Sequence, residues 1–445
     1  WDDFSSQFCT NITLKKLNMV IISTYKNRCF NLVKTTSGRM SHTLTIWREG
    51  TLSVMIGCDT TPASGPIGGR AMKVNVRSFW RKDPVLFLSG LLALLSLLWV
   101  PPDRAYAGYL DFKVLICLFV LMLAVELLRE AGWLDVAAQH VLCQAGSRRK
   151  LSVLLTAFAF FLSMLVTNDV ALLTLVPLTL RVTGDGHDAP LTVRLLVLQT
   201  LAANIGSMLT PVGNPQNLYL YAHGSMTWPV FWGAVWPVGL AGGLLLGLLA
   251  LLGPDRPLPQ GPHPPKLSPG AAPLAGLILF VAAVLCVFGV LPAWLLLAGA
   301  LLIVLPLRPA SLARVDYALL LTFAFFFVFV GNVSRIDAVA RWLGGMLASP
   351  AQVILTGSLA SQVISNVPAA ILLSGFTTRW AELLRGVNVG GCGTLVASLA
   401  SLITWRLYSR TASASCERRR FLLVFSGLNA LFLAVLLAVA LLAPF

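Results

Sequence analysis

Long apolar stretches separated by short polar segments dominate the chain from residue 85 to its end. Most are close to the ~20 residues that an α-helix needs to cross the hydrocarbon core of a bilayer. The pattern predicts an all-α polytopic membrane protein with about nine to eleven transmembrane segments. The apolar segments are residues 85–100, 113–128, 151–180, 191–221, 229–252, 272–290, 291–307, 317–332, 351–376, 386–405 and 421–444.

Four of these segments carry polar or glycine-rich residues near their middle. Segments 151–180 and 351–376 are too short to cross a membrane twice, so we predict re-entrant hairpins there. Segments 191–221 and 386–405 are predicted to be helices that unwind. Irregular backbone is tolerated at membrane depth only where protein or a water-filled cavity surrounds it, so these breaks are candidates for a functional site.

The interrupted segments form two sets with matching sequence. Residues 163–171 (SMLVTNDVA) align with 361–369 (SQVISNVPA), and residues 204–210 (NIGSMLT) align with 388–394 (NVGGCGT). This match predicts a duplicated chain. Repeats with corresponding interrupted helices are typical of secondary transporters, whose binding site lies where the repeats meet.

The duplication sets the predicted domain boundaries. The first repeat covers residues 72–252 and the second covers 272–445, with a Pro-rich linker at 253–271. Residues 1–71 are polar and contain no apolar run of helix length, so we expect a disordered or non-native extension before a start at Met72. A folded N-terminal domain is the alternative.

Composition and charge support a membrane protein. Hydrophobic residues make up 57% of the chain and charged residues 11%, against about a quarter in soluble proteins. The net charge of +15 is explained by basic cytoplasmic loops rather than by nucleic-acid binding. With the N-terminus in the cytoplasm, most basic residues fall in inside loops and the repeats become inverted. The outside loops then hold Arg104, Lys113, Arg335, Arg341, Arg379 and Arg385.

The four breaks supply the candidate binding residues, because unwound backbone and half-helix ends can replace the water around a small ion. Asp169 stands out, since an acid at membrane depth indicates function unless it caps the half-helix starting near Val170. Glu126 is a second acid, placed nearer the interface. The predicted substrate- or ion-binding residues are Thr167, Asn168, Asp169, Asn204, Gly206, Ser207, Thr210, Gly213, Asn214, Ser365, Asn366, Asn388, Gly390, Gly391, Gly393 and Thr394.

Several other function classes are not indicated. The eight cysteines and five histidines are dispersed, so we expect neither a disulfide framework nor a metal site. No cofactor is expected, although sodium or a proton is a candidate coupling ion. The chain also lacks HExxH, GxSxG and GxxxxGK[ST] motifs, which argues against an intramembrane enzyme or a primary pump. A channel remains an alternative.

The tips Thr167-Asn168-Asp169 and Ser365-Asn366-Val367, with the run from Gly206 to Leu218, resemble the citrate-transporter-like permeases of the ion transporter superfamily. That group includes divalent-anion sodium symporters, arsenite permeases and some sodium–proton antiporters. The resemblance covers residues 80 to 445 and implies a scaffold, a transport domain that moves like an elevator, and a homodimer. In the dicarboxylate symporters the tips read Ser-Asn-Thr, whereas Asp169 and Val367 stand at the third position here.

We therefore expect a secondary transporter of a bacterial inner membrane. Its cargo would be a small anion such as a di- or tricarboxylate or an inorganic oxyanion, driven by a cation or proton gradient. The alternative on the same fold is a sodium–proton antiporter or an arsenite-type efflux permease.

Overall fold

The computed structural model describes residues 84–183, 188–253, 255–257, 270–411 and 415–443. Within these ranges the chain is helical, with an isolated β-bridge between Ser147 and Pro257 and no strand, so the predicted all-α class is confirmed. The predicted extension 1–71 and most of the linker 253–271 lie outside the described residues. In chain order the helices are α1 (Pro84–Ser96), α2 (Phe112–Glu130), α3 (Trp133–Cys143), α4 (Arg148–Val166), α5 (Asn168–Val182), α6 (Ala189–Ser207), α7 (Pro215–His223), α8 (Trp228–Leu251), α9 (Ala271–Val287), α10 (Ala293–Leu307), α11 (Tyr317–Val333), α12 (Asp337–Met346), α13 (Pro350–Ile364), α14 (Asn366–Ser374), α15 (Trp380–Gly390), α16 (Leu399–Thr411) and α17 (Ser415–Leu442).

The helices differ in whether they are long and apolar enough to cross a membrane. By length and composition, α4, α6, α8 and α17 each suffice to cross a bilayer, and α11 with α12 would add a fifth span if that pair, bent by 104°, counts as one. Helices α1, α9 and α10 are apolar but shorter. Each of the four interrupted segments predicted at 151–180, 191–221, 351–376 and 386–405 is built from two helices, whereas the segment 113–128 is the single helix α2.

The first hairpin differs in length from its prediction. Ser147 caps α4 by accepting a hydrogen bond from the Lys150 amide at 3.3 Å, so the helix begins before the apolar run. Its 19 residues extend for about 28 Å, which is enough to cross the hydrocarbon core. This hairpin therefore has one arm of full span length and one shorter arm, α5.

Two helices were not predicted, because neither belongs to a long apolar run. Helices α3 and α12 follow α2 and α11, which are equivalent places in the two repeats. In α3 the buried residues are Leu134, Ala138 and Leu142, spaced four apart along one face. Such a stripe is typical of an amphipathic helix on a packed surface.

A scaffold group (α1, α2, α9, α10 and α11) joins the two repeats by exchange of their first helices. Helix α9, from the second repeat, packs on α2 of the first, and α1 of the first packs on α11 of the second. Cys117 Sγ on α2 lies 3.3 Å from Cys286 Sγ on α9. Asn332 on α11 donates to Ser96 Oγ on α1 at 2.8 Å.

The interrupted helices form a second group, the core group (α4–α8 and α13–α17). Helix α4 packs on α6 in the same way that α13 packs on α15. Glycines permit this approach, since a Cβ on Gly206 would lie 2.0 Å from the Phe160 carbonyl oxygen and one on Gly390 would lie 2.6 Å from Ser361 Cβ.

Arg385 is not an outside-loop residue as predicted. It lies in α15 with 1% of its surface exposed. Its guanidinium donates to carbonyl oxygens of α8 (Gly233 and Ala234) and of the end of α17 (Ala440 and Ala443) at 2.7–3.1 Å. The carbonyls of Ala440 and Ala443 lie at the end of α17, and that of Gly233 lies four residues before Pro237, which has no amide hydrogen to donate to it. These carbonyls satisfy a charge that the loop assignment had placed in water.

Candidate functional site

Both hairpin tips have the same unusual backbone. Thr167 separates α4 from α5 with φ 76° and ψ 152°, and Ser365 separates α13 from α14 with φ 74° and ψ 154°. A positive φ is uncommon for a residue other than glycine and costs energy. Its occurrence at two equivalent positions indicates a duplicated turn that the surrounding contacts hold in this conformation.

The tips are bonded to the unwound segments in matching fashion. The backbone N–H of Asn168 donates to the Gly213 carbonyl at 3.2 Å, and the backbone N–H of Asn366 donates to the Ala397 carbonyl at 3.0 Å. Because Gly213 and Ala397 occupy equivalent positions in the alignment, each repeat holds its hairpin tip against its own break.

A second pair of equivalent bonds fixes the other end of each break. Thr210 Oγ1 donates to the Met164 carbonyl at 2.6 Å, and Thr394 Oγ1 donates to the Gln362 carbonyl at 2.9 Å. Thr394 is exposed and Thr210 half-buried, so these two predicted site residues brace the hairpins. Gly393, with φ 133°, donates its amide to Asn429 Oδ1 in α17.

An asparagine cluster, consisting of Asn168, Asn204, Asn214, Asn388 and Ser398, joins the two repeats. Each member is at most 5% exposed. Asn204 Oδ1 accepts from Asn168 Nδ2 at 3.1 Å and from Ser398 Oγ at 2.9 Å. Asn388 Oδ1 accepts from Asn214 Nδ2 at 3.2 Å. Since Asn204 corresponds to Asn388 and Ser398 to Asn214, the bonds across the repeat boundary are themselves a symmetric pair.

Further bonds extend the cluster into the unwound backbone. Asn204 Nδ2 donates to the Gly391 carbonyl at 3.2 Å, and Asn388 Nδ2 donates to Asn217 Oδ1 at 2.7 Å. Asn217 Nδ2 reaches carbonyls of the first break, including that of Ser207 at 3.3 Å. Sequence reasoning missed Asn217 and Ser398, although alignment of Ser398 with Asn214 was a signal for the second.

Helix ends of both polarities meet around this cluster. Helices α5, α7, α14 and α16 begin there, directing their positive ends and first amide groups at it. Helices α4, α6, α13 and α15 end there and contribute carbonyl groups. The arrangement supplies partners for an anion and for a cation within one buried region.

A cavity of about 190 Å³ borders the first hairpin tip. It lies between the core group and the scaffold helices α2 and α11, and it reaches the starts of α5, α7 and α16. Thr167, Asp169 and Asn214 line it, together with scaffold residues. Ser365, Asn366 and Val367 are not among its lining residues, so this cavity borders the first tip and not the second.

Asp169 faces this cavity without a partner for its Oδ1 atom, which is buried and accepts no hydrogen bond from the described residues. The start of α5 has no side-chain capping bond, so Asp169 does not act as the capping residue considered from the sequence. An acid held in this way is available to a ligand or a proton.

Apart from Asp316, the other charges of the cavity are paired. Glu126 accepts from Arg129 at 2.8 and 3.0 Å, and Arg314 binds Glu130 and approaches Glu126 at 3.8 Å. Asp316 is exposed and caps α11 through the Leu319 amide. Within the described ranges, no group of three or more His, Cys, Asp or Glu residues is placed to hold a metal ion.

Comparison with known proteins shows which family the chain belongs to. The chain is 32% identical over 368 residues to an uncharacterized transporter of Methanocaldococcus jannaschii, covering 80% of this chain and 96% of that protein. It is also 32% identical over 311 residues to the inner membrane protein YbiR of Escherichia coli, covering 68% of this chain and 82% of YbiR.

A solved structure has the same fold. The crystal structure of the YdaH transporter of Alcanivorax borkumensis, described as having an unusual topology, matches with a TM-score of 0.50 at 15% identity, covering 80% of this chain and 98% of that one. The model of the citrate transporter family matches residues 79–390. The chain therefore belongs to the citrate transporter family of membrane transporters.

Proposed function

We propose that this chain is a secondary active transporter that moves a small anion across the inner membrane and is coupled to protons or a cation through Asp169. The observation that carries the proposal is the convergence of four half-helix N-termini on the asparagine cluster, beside a cavity that contains an unpaired acid. Positive helix ends and amide donors favour an anion, while Asp169 and the converging carbonyls favour the coupling ion.

The cargo class follows from the donors present. The cluster offers carboxamides, a hydroxyl and amide groups, which suit carboxylate or oxyanion oxygens. The arginines that border the cavity are already engaged by Glu126 and Glu130, so binding would rest on dipoles and neutral donors. A di- or tricarboxylate or an inorganic oxyanion satisfies these requirements.

The two groups of helices support an elevator-type movement. The bonds of the asparagine cluster lie within the core group, so it can move as a body that carries its site. Its contact with the scaffold includes rings, with Tyr219 packed against Phe323 and Phe327 at centroid distances of 6.3 and 5.5 Å. Aromatic surfaces can slide without breaking a polar network. A homodimer joined through the scaffold would hold that group still.

A second candidate is efflux by exchange with protons or sodium. It is favoured by the inequality of the tips, because Asp169 has Val367 as its counterpart. In an exchanger, the acid binds the driving ion when the cargo leaves, so one titratable group can serve both steps.

Transport by the purified full chain in liposomes would test the proposal. Radiolabelled citrate, succinate, sulfate and arsenite would each be offered under imposed sodium or proton gradients. We expect accumulation of one cargo beyond equilibrium, driven by one gradient. Equilibration without accumulation would contradict secondary active transport and indicate a channel.

The role of Asp169 requires a separate variant. Asp169→Asn keeps the shape of the side chain but removes its charge, so transport should lose its dependence on pH or on the driving cation. Asn168→Ala, which removes a cluster donor, should instead weaken cargo binding by about fivefold to 150-fold, since a stranded buried partner costs about 1–3 kcal/mol. Coupling that is unchanged in a well-folded Asp169→Asn variant would exclude Asp169 from the mechanism.

A further inference from the structure

A second cavity, far along α6 from the asparagine cluster, has a cationic end and an apolar end. We name it the arginine groove, a space of about 640 Å³ between the start of α6, the end of α8 and the first turns of α17. Its cationic residues are Arg148, Arg194 and Arg420, and its apolar wall includes Leu198, Leu423 and Leu428.

The cationic end carries excess positive charge. Asp188 is the acid of the lining and is paired with Arg148 at 2.6 Å. Arg194 donates to the Leu249 carbonyl at the end of α8. The Nε atoms of Arg148 and Arg194 are buried and have no hydrogen-bond partner among the described residues. Arg420 is exposed at the start of α17, so the groove presents donors for a further anionic group.

The apolar end is open space along α17. Leu423 is 64% exposed and Leu252 at the end of α8 is 67% exposed. A Cβ placed on Gly427 would meet no atom within 4 Å, so this glycine leaves a gap in the wall rather than serving close packing. Apolar surface of this kind in a membrane-embedded chain is suited to a hydrocarbon chain.

We propose that the arginine groove binds an anionic glycerophospholipid, with its phosphate at Arg194 and Arg420 and one acyl chain passing Gly427. Basic pockets between helices bind acidic lipid headgroups, and the apolar continuation of the groove distinguishes such a lipid from free phosphate. In the predicted threading this end faces the cytoplasmic leaflet. The lipid would fasten α6 to α8 and α17, and α6 leads from Arg194 to Asn204 over about 15 Å.

Native mass spectrometry of the delipidated full chain would test this site, with phosphatidylglycerol and phosphatidylcholine at equal concentration. We expect preferential retention of phosphatidylglycerol and a rise in the melting temperature on its addition, because binding to the folded state stabilises it. Arg194→Gln with Arg420→Gln should weaken the apparent affinity about 25-fold, taking about fivefold for each charge.

Two pairs of variants separate the groove from the rest of the surface. Gly427→Trp fills the acyl path and should abolish retention without touching a charge, whereas Gly247→Trp, at an equally open glycine of α8 outside the groove, should not. Arg410→Gln, an exposed arginine of α16, is the matched control for charge.

Four outcomes would overturn the assignment. The first is equal retention of both lipids, and the second is full phosphatidylglycerol binding in the Gly427→Trp and double arginine variants. The third is stabilisation by inorganic phosphate alone as large as that by the lipid. A dimer that Gly427→Trp dissociates would assign the groove to a second copy of the chain instead.

Discussion

Replacing Asn204 by alanine should destabilise the protein strongly, because this residue joins the two repeats within the asparagine cluster. Its side chain makes three bonds to partners in both repeats: it accepts from Asn168 and Ser398 and donates to the Gly391 carbonyl. Asn204 is 5% exposed and Ser398 is 1% exposed, so water cannot readily replace the lost partner.

The magnitude follows from these three bonds. A buried hydrogen bond contributes about 1 kcal/mol net, and a stranded partner costs somewhat more, so we expect a loss of about 3 kcal/mol in the free energy of unfolding. Thr200→Val is the matched control. Thr200 Oγ1 on α6 lies 2.8 Å from Thr404 Oγ1 on α16, and neither threonine is among the residues that line the cavity. Its loss should cost about 1 kcal/mol and leave transport intact.

Equilibrium unfolding in mixed micelles and transport in liposomes would measure both effects. A double-mutant cycle with Ser398→Ala isolates the bond across the repeats, because neighbouring changes that share a partner are not additive. Strictly additive losses, or an Asn204→Ala variant as stable as Thr200→Val, would refute the idea that this side chain holds the repeats together.

Four further predictions concern packing and topology. Gly206→Ala should destabilise by about 1–3 kcal/mol in thermal unfolding, because its Cβ would lie 2.0 Å from the Phe160 carbonyl, whereas Gly247→Ala should be neutral. Copper-phenanthroline oxidation should form a disulfide between Cys117 and Cys286. If the chain is then cut at a protease site inserted after Gly261, the two fragments should stay linked on a gel run without reductant, whereas in Cys286→Ser they should separate. Arg385→Leu should lower the yield of folded protein sharply, and an unchanged yield would contradict its role in satisfying four carbonyls. Cysteines at Gly108 and Arg148 should label from opposite sides of the membrane, and labelling from one side would overturn the inverted threading.

The interrupted segments could be predicted from the sequence because polar residues inside long apolar runs are costly unless something requires them. The tips Thr167-Asn168-Asp169 and Ser365-Asn366-Val367 stood out for that reason. Alignment of residues 204–210 with 388–394 then showed that the broken helices after the two hairpins correspond to each other. Helices α3 and α12 could not be found in this way. Their pattern is amphipathic and short, so a search for apolar runs passes over them.

Contacts between distant parts of the chain could not be predicted from the sequence. The Sγ atoms of Cys117 and Cys286 come within 3.3 Å only because α9 of one repeat packs on α2 of the other. Arg385 was assigned to a loop because a charge is normally placed in water, whereas helix-end carbonyls satisfy it here. Which amides would bond to which, across two repeats, likewise depends on register that no one-dimensional pattern contains.

The two halves of the site are alike in construction and unlike in chemistry. The tip dihedral angles, the amide bonds to Gly213 and Ala397 and the bracing bonds of Thr210 and Thr394 are duplicated. The difference is concentrated at one position, where the first tip carries Asp169 and the second carries Val367, and the cavity opens at the acid. In the proposed mechanism, the duplicated frame would fix where a ligand is held but would give it no preferred partner ion. The single unpaired carboxyl at one tip would break that equivalence, so the proposal places the asymmetry that coupling requires in this side chain rather than in the fold.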